Sequence, residues 1–409
     1  TISNVMRILP SFMVVYSSPI DRIYQYFLIC SIFLLPLTVL GNNIFMWLTV
    51  LFWLFSGNYL NKFQEVKANK LALASIVFFF VHLLGLFWTE DLYWGLQMLR
   101  KMLTFLFVLP IFLTISRKEN IKYYLMSFLI AIGISELLSY LVWFELIEPF
   151  GNATLMNPTP VIGHVSYNPF LAFAIYLVLH QLLFEKSLSR SLRIIYTFFA
   201  LSMTFNMFIT AGRAGQAMFF ASVGVLMFQY FRNSQIKATL VASILISLII
   251  LGGYNYSPLF KNRVNQVLYD LASFTTNPNT SVGHRIIFTK NTLEIIKKSP
   301  LIGVGTGDFP TEYGKVNLVN SPAVKTTVQP HNMYLYIQAQ LGLLGLFSFF
   351  WIFYVQFRIA IASENTFNHN VGVALPFLFL IIMLSDTYLL GHYTSNLFIL
   401  FSSFLYSNR

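Results

Sequence analysis

Twelve nearly continuous apolar stretches run along the chain, at about 24–40, 44–56, 71–88, 101–115, 121–146, 165–184, 194–210, 214–231, 238–253, 333–357, 371–387 and 389–406. A membrane-crossing helix needs roughly 20 apolar residues, so this pattern predicts about 12 transmembrane helices, the second being short for a full crossing. The runs do not alternate in period two, which argues against a β-barrel. One long stretch breaks the pattern: between about 254 and 330, Asn, Thr, Ser, Pro and Gly replace Phe and Leu. Within it Val282 to Lys298 has helical spacing, with Ile286, Ile287, Leu293, Ile295 and Ile296 apolar, and Val264 to Phe274 suits a second short helix. A folded cap is expected there, a long, partly helical loop between spans 9 and 10. The predicted organisation is helices 1–9 over 1–253, the loop over 254–332, and helices 10–12 over 333–409.

Composition turns this pattern into a class. The chain is 56% hydrophobic, 17% aromatic and 10% charged, whereas a soluble domain carries roughly 25% charged residues. There is too little polar material to cover a water-facing surface, so the fold class is an all-α integral membrane protein. The single cysteine, Cys30, excludes a disulfide scaffold. The first twenty residues lack a basic head, apolar core and small-residue cleavage site, so a removed signal peptide is not expected.

Charge adds an orientation. Lys and Arg number 26 against 15 Asp and Glu, a net +11. With a cytoplasmic N-terminus and alternating spans, 15 of the 26 fall in cytoplasmic segments: Arg7, Arg22, Lys62, Lys67, Lys70, Arg117, Lys118, Lys122, Lys186, Arg190, Arg193, Arg232, Lys237, Arg358 and Arg409. The short external loops hold only Arg100, Lys101 and Arg213, and the loops at Thr89-Glu90-Asp91 and Glu148 to Asn152 are acidic or neutral. This bias predicts that both termini are cytoplasmic. The other eight basic residues lie in the loop on the external side, where positive-inside bias would not put them.

Several residues have chemical potential. Arg213, in Gly212-Arg213-Ala214-Gly215, sits between two apolar runs on the external side, where a guanidinium must snorkel or meet an anion. The small neighbours admit a ligand, and an anion site is the preferred reading. Arg285 opens the predicted loop helix, where backbone amides and a guanidinium together suit a phosphate or carboxylate. His331, in Gln329-Pro330-His331-Asn332, lies where the loop re-enters the membrane, a place for a general base; a histidine tucked into a helix cap is the alternative. Arg100 and Lys101 begin the fourth run and would either snorkel or extend an anion site. Glu136 and Asp386 lie within apolar runs, as proton-relay groups or as satisfied polar contacts. Gly303-Val304-Gly305-Thr306-Gly307-Asp308 looks like a phosphate cradle but follows no predicted strand and lacks a lysine, so a tight structural loop is expected. Asn152-Ala153-Thr154 and Asn279-Thr280-Ser281 fit a glycosylation pattern that often arises by chance. No residue cluster suggests a metal site, and none is expected.

The segment Pro330-His331-Asn332, followed after nine residues by Gly342-Leu343-Leu344-Gly345, resembles the signature of bacterial O-antigen ligases. The external Gly212-Arg213-Ala214-Gly215 resembles the wider superfamily of O-antigen ligases and polymerases, as does His284-Arg285 running into Ser299-Pro300-Leu301-Ile302-Gly303-Val304-Gly305-Thr306-Gly307-Asp308-Phe309. These motifs cover about 140 residues, from Arg213 to Gly345. Protein-glycosylating oligosaccharyltransferases share the motif but usually carry a larger soluble C-terminal part.

The resemblance implies transfer of O-antigen polysaccharide from undecaprenyl pyrophosphate to a sugar hydroxyl of lipid A–core oligosaccharide, on the periplasmic face of the bacterial inner membrane. The loop would carry donor- and acceptor-site residues. His331 would be the catalytic base, Arg213 and Arg285 would bind the donor pyrophosphate, and Arg100, Lys101, His284 and Asn332 would support them. No cofactor is implied, because the pyrophosphate linkage supplies the energy; the partners are the two lipid-anchored substrates and membrane lipids, not nucleic acid. No nucleophilic carboxylate stands out for a covalent intermediate, which favours a single inverting displacement without a metal. The alternatives are a polysaccharide polymerase, with a lipid-linked glycan as acceptor, and a transporter of lipid-linked sugars. A transporter should show internal repeats and charges along a path across the membrane, and neither is evident.

Overall fold

The computed structural model describes residues 14–408. Arg7, Arg409 and most of the segment read for a signal peptide lie outside them. The helices are α1 (Pro19–Leu34), α2 (Val39–Phe55), α3 (Tyr59–Ala68), α4 (Lys70–Leu84), α5 (Leu92–Leu103), α6 (Leu109–Ile115), α7 (Ile121–Trp143), α8 (His164–Phe184) and α9 (Arg190–Ile209). They continue as α10 (Arg213–Tyr230), α11 (Gln235–Tyr256), α12 (Pro258–Ala272), α13 (Ser281–Lys298), α14 (Phe309–Asn320), α15 (Met333–Ile361), α16 (Thr366–Ile382) and α17 (His392–Leu405). Seven helical stretches among the described residues are long and apolar enough to cross a membrane, and α2 and α16 are shorter apolar helices. The protein is a helical, multi-pass membrane protein. Each of the twelve apolar runs is helical over most of its length.

Helix starts follow local chemistry. Ser189, Ser234 and Asn69 accept amide hydrogens from the first turns of α9, α11 and α4, satisfying donors that a helix leaves orphaned. Among the seven long apolar stretches α8 is the most enclosed, with 72% of its apolar core buried, whereas α11 buries only 11% and turns most of its surface outward. Gly212 and Gly215 explain how α10 lies against α8. A Cβ on Gly215 would come within 2.3 Å of the Asn168 backbone, so only glycine permits this approach.

Contacts sort the turns to two ends. At one end Arg117 pairs with Asp21 at 2.6 Å, Asn69 donates to the Tyr406 carbonyl at 3.2 Å, and Ser407 donates to the Ser116 carbonyl at 2.8 Å. The other end gathers the tops of α4, α8 and α10, residues 257–332, and the turn between α16 and α17. The helix expected over 282–298 is α13, and α12 covers most of 264–274. Helix α14 is an addition to the sequence reading. Phe288 and Ile295 of α13 are buried with Phe309 and Tyr313 of α14, and Asn291 donates to Tyr313 Oη at 3.2 Å and to Ser321 Oγ at 2.8 Å.

Two placements correct the sequence reading. Arg100 and Lys101 do not begin a span; they lie in the last turns of α5, just before a π-helical turn at Thr104–Val108. Asp386 is not inside a span either. Helix α16 ends at Ile382, and Asp386 stands in the turn that follows.

Helix α15 contains the feature that shapes this end. Gly342 breaks it with φ 59° and ψ −153°, a conformation open essentially to glycine alone. A continuous helix would bond the amides of Leu343 and Leu344 to the carbonyls of Ala339 and Gln340. Instead, Leu343 and Leu344 donate to Pro300 and Leu301 at 3.0 and 3.2 Å, while Val304 and Gly305 donate to Ala339 and Gln340 at 2.9 Å each. The strap 300–305 is therefore spliced into the opened helix, and these four displaced backbone groups find new partners. Downstream, Gly307 donates to Gln340 Oε1, Thr306 Oγ1 donates to the His82 carbonyl, and Asp308 accepts from the Glu90 and Asp91 amides at 2.8 Å each. The glycine-rich run is thus a structural buckle, its amides and carboxylate filled from within.

Candidate functional site

A bend at Val328 and Gln329 leads through Pro330 from the loop into α15, and the turn at His331 is held on both sides. Asn332 caps α15 by accepting from the Leu335 amide at 3.1 Å, and its Nδ2 donates to the Leu384 carbonyl at 3.2 Å. The Met333 amide donates to the Met383 carbonyl at 2.9 Å, and Thr387 Oγ1 bonds Gln329 Oε1. This clamp holds His331 at φ 52°, in the left-handed region that non-glycine residues rarely adopt. Such strain persists only where surrounding contacts over-determine it, and it collects at functional sites.

The clamp aims the imidazole. His331 Nδ1 faces Asp386 Oδ1 at 3.4 Å, too long for a formed charge-assisted hydrogen bond, so the buried Nδ1 has no hydrogen-bond partner. The ring stacks on Phe288 of α13, with centroids 5.9 Å apart and planes 22° from parallel. His284, one turn earlier on α13, stacks on the same Phe288 at 5.7 Å. Burial pushes the Asp386 carboxyl up, but the His331 ring, the Thr387 amide and the charge of Arg285 outweigh it and hold the group below its ordinary value of 3.8. Asp386 is therefore an anion at neutral pH. It can orient His331 through Nδ1 and leave Nε2 to take a proton.

The cations lie beside this pair. Arg213 is the first residue of α10, whose N-terminus has no side-chain cap, and its Nη2 donates to Ser281 Oγ at the start of α13 at 2.8 Å. Arg285, one turn along α13, carries its charge close enough to act on both Arg213 and Asp386. Arg213 also feels the positive charge of Arg263 on α12 and the negative charge of the buried Asp270. His164, at the start of α8, feels Arg263 and Arg213 and contacts Asn157 Nδ2 through Nδ1 at 2.9 Å. The Ala211 amide donates to Asn157 Oδ1 at 3.0 Å and Asn168 Nδ2 donates to the Gly212 carbonyl at 3.3 Å, which fixes the turn presenting Arg213. Three guanidiniums near a helix N-terminus make an electropositive cluster suited to a multiply charged anion.

The structure thus brings Arg213, Arg285, His284, His331 and Asn332 into one neighbourhood. Asn332 acts there through the backbone of the turn. Arg100 and Lys101 stand apart, on α5. Sequence reasoning missed Asp386 as the partner of His331, and also Arg263 and His164. One signal was available for Asp386: it is the sole acid between residues 371 and 409. Among the described residues no group of three or more His, Cys, Asp or Glu is placed to hold a metal ion.

Residues 198–350 match the family model described as O-Antigen ligase. This stretch, well under half of the chain, is similar to the O-antigen ligase family. It runs from within α9 to the middle of α15, so it holds Arg213, Arg263, Arg285 and His331, while His164 and Asp386 come from outside it. An uncharacterized protein of Haemophilus influenzae is 32% identical over 155 residues, which is 36% of this chain and 38% of that protein. The match therefore spans well under half of either chain.

Proposed function

We propose that this protein is a glycosyltransferase that moves O-antigen polysaccharide from undecaprenyl pyrophosphate to a sugar hydroxyl of lipid A–core oligosaccharide. One observation carries the reading: an arginine cluster lies beside a strained histidine that faces a carboxylate. A glycosyl pyrophosphate needs both functions at once. Arg213 and Arg285, with Arg263, receive the diphosphate and stabilise the charge that grows on it as the bond to the anomeric carbon breaks. His331 Nε2 accepts the proton of the acceptor hydroxyl as its oxygen forms the new bond to that carbon. The leaving diphosphate keeps the electron pair, and Asp386 stabilises the imidazolium. Attack opposite the leaving group inverts the anomeric centre, and this balance of charge requires no cofactor.

The membrane setting belongs to the same proposal. Twelve crossings, both termini in the cytoplasm, and residues 254–332 with the arginine cluster facing the periplasm of an inner membrane agree with the apolar runs and the excess of Lys and Arg at the other end. Units 1–253, 254–332 and 333–409 then read as nine spans, a cap and three spans.

The test is reconstitution of the purified protein with lipid-linked O-antigen and lipid A–core. Lipopolysaccharide should form. Longer lipid-linked chains with no transfer to the core would instead mark a polymerase using the same residues, and no new glycosidic bond in either form would refute the reading.

A further inference from the structure

Away from His331, helices α8, α10, α11 and α16 border a cavity of about 1170 Å³ whose mouth lies at the opposite end of the bundle. It exceeds the roughly 300–1,000 Å³ of an ordinary small-molecule pocket. On α16 its wall runs from Thr366 through Val373 and Phe377 to Ile381, along one face of the helix. That span is about 22 Å at 1.5 Å per residue, more than the roughly 15 Å of hydrocarbon in one leaflet. Phe220 and Phe228 of α10 form the facing wall, and Ile246 of α11 adds the side. Gly224 of α10 also lines the groove, and a Cβ there would meet nothing within 4 Å, unlike one on Gly215 in the same helix. Helix packing does not demand glycine at 224; the missing side chain leaves room in the groove.

The mouth carries both signs of charge. Lys186 follows α8, Arg232 follows α10 and Glu364 precedes α16, and all three line the groove. None of the three has an ion-pair partner among the described residues, although opposite charges share the wall. Glu185, beside Lys186, is not in the wall; its carboxylate accepts from the Ser187 amide at 3.0 Å and hydroxyl at 2.5 Å. Behind the mouth the polar groups satisfy one another. Gln229 Nε2 donates to the Asn370 carbonyl at 2.9 Å, and Tyr176 Oη donates to Gln229 Oε1 at 3.0 Å. A ligand's polar part therefore belongs at the mouth and its apolar part in the groove. Cations alone would reflect only the positive-inside bias; an unpaired acid beside them, at the end of a lipid-length groove, is what distinguishes this mouth.

We propose that this groove binds a phospholipid whose headgroup carries both a phosphate and a primary ammonium, as in phosphatidylethanolamine, from the leaflet at that end. Lys186 and Arg232 receive the phosphate and Glu364 receives the ammonium, so each unpaired charge gains an opposite partner. An acyl chain lies along α16 against Val373 and Phe377, on apolar surface that the protein itself leaves uncovered. A purely anionic headgroup would set a like charge against Glu364, and free phosphate would leave the groove unfilled. Helix α11 buries only 11% of its apolar core against the rest of the chain. A lipid lodged between it, α10 and α16 adds contacts that hold α11 to the bundle. The site is separate from the His331 cluster, and the proposal does not depend on the transfer reading.

The experiment titrates the full-length, delipidated protein in detergent with phosphatidylethanolamine, phosphatidylglycerol and phosphatidylcholine of identical acyl chains. Native mass spectrometry reads the bound lipid, and thermal unfolding reads the stabilisation that binding gives. Phosphatidylethanolamine should bind most tightly, because phosphatidylglycerol lacks the ammonium and the choline nitrogen has no N–H for Glu364. Lys186→Gln/Arg232→Gln should weaken binding of all three lipids roughly tenfold or more, whereas Glu364→Gln should remove only the preference for phosphatidylethanolamine. Gly224→Leu places a better helix former in open space, so it should lower lipid occupancy without lowering the lipid-free unfolding midpoint. Wild-type selectivity and Gly224→Leu test the site even if a charge variant loses stability. Equal affinity for the three lipids, tighter binding of phosphatidylglycerol, unchanged phosphatidylethanolamine binding in the double variant, or full occupancy in Gly224→Leu would overturn the proposal.

Discussion

His331 Nδ1 and Asp386 Oδ1 lie 3.4 Å apart across two turns sewn together by the Met333 amide to the Met383 carbonyl and by the Asn332 side chain to the Leu384 carbonyl. The separation is close enough for charge to act and too long for a made hydrogen bond. A small rotation of the strained His331 turn would close it, as catalytic hydrogen bonds often tighten only with substrate bound. Asp386→Asn should therefore lower kcat roughly 10- to 100-fold, less than loss of the base itself, which general-base catalysis puts at about 10²–10⁴. Donor affinity should hold. Steady-state kinetics of the variant check this, and wild-type turnover would remove Asp386 from the mechanism.

The same carboxylate makes a pH prediction. Its folded-state value is held below the ordinary 3.8, so the stability it contributes is present above about pH 4 and is lost as pH falls through the lowered folded value. Thermal unfolding of wild type and Asp386→Asn, followed from pH 7 down to pH 3, should show a gap that closes only at the acid end. A gap that closes between pH 6 and 5 would show that the carboxyl is not held low.

The arginines predict a different kinetic signature. Arg213→Ala or Arg285→Ala removes a charge-assisted contact worth about 1.5–3 kcal/mol, so the donor KM should rise roughly 10- to 100-fold with little change in acceptor KM. Transfer should also survive a chelator such as EDTA, because the guanidiniums supply the positive charge. Kinetics with varied donor, with and without chelator, decide both points.

Gly342 carries a structural prediction. A Cβ there would lie 2.3 Å from the Leu301 carbonyl carbon, on a backbone at φ 59°. Gly342→Ala should lower the unfolding midpoint, at a cost of at least about 1–3 kcal/mol from backbone strain alone, and should release the strap from α15. Hydrogen exchange at Val304 and Gly305 reports that release directly; unchanged protection would contradict the splice.

Much of this was legible in the sequence, for physical reasons. Apolar runs announce helices because lipid leaves the backbone no other way to satisfy itself, and α13 showed in the spacing of its isoleucines. His331 and Arg213 stood out as polar groups beside membrane-length runs, and Arg285 as a guanidinium opening the loop helix. Asp386 was visible but misplaced, because a carboxylate in an apolar run looks intramembrane until the chain is seen to turn at Ile382. Arg263 and His164 gave no signal, since their meaning depends on α8 and α12 converging on the start of α10. The buckle at 303–308 was read as structural, yet its splice into α15 could not be foreseen, because the exchanged bonds join residues more than thirty positions apart.

The most direct test of the central claim is single-turnover transfer from lipid-linked O-antigen by wild type and His331→Ala, with donor binding measured on the same preparations. The account predicts that the variant binds donor as wild type does and forms lipopolysaccharide at least about 10²-fold more slowly. Transfer by His331→Ala at the wild-type rate would contradict it.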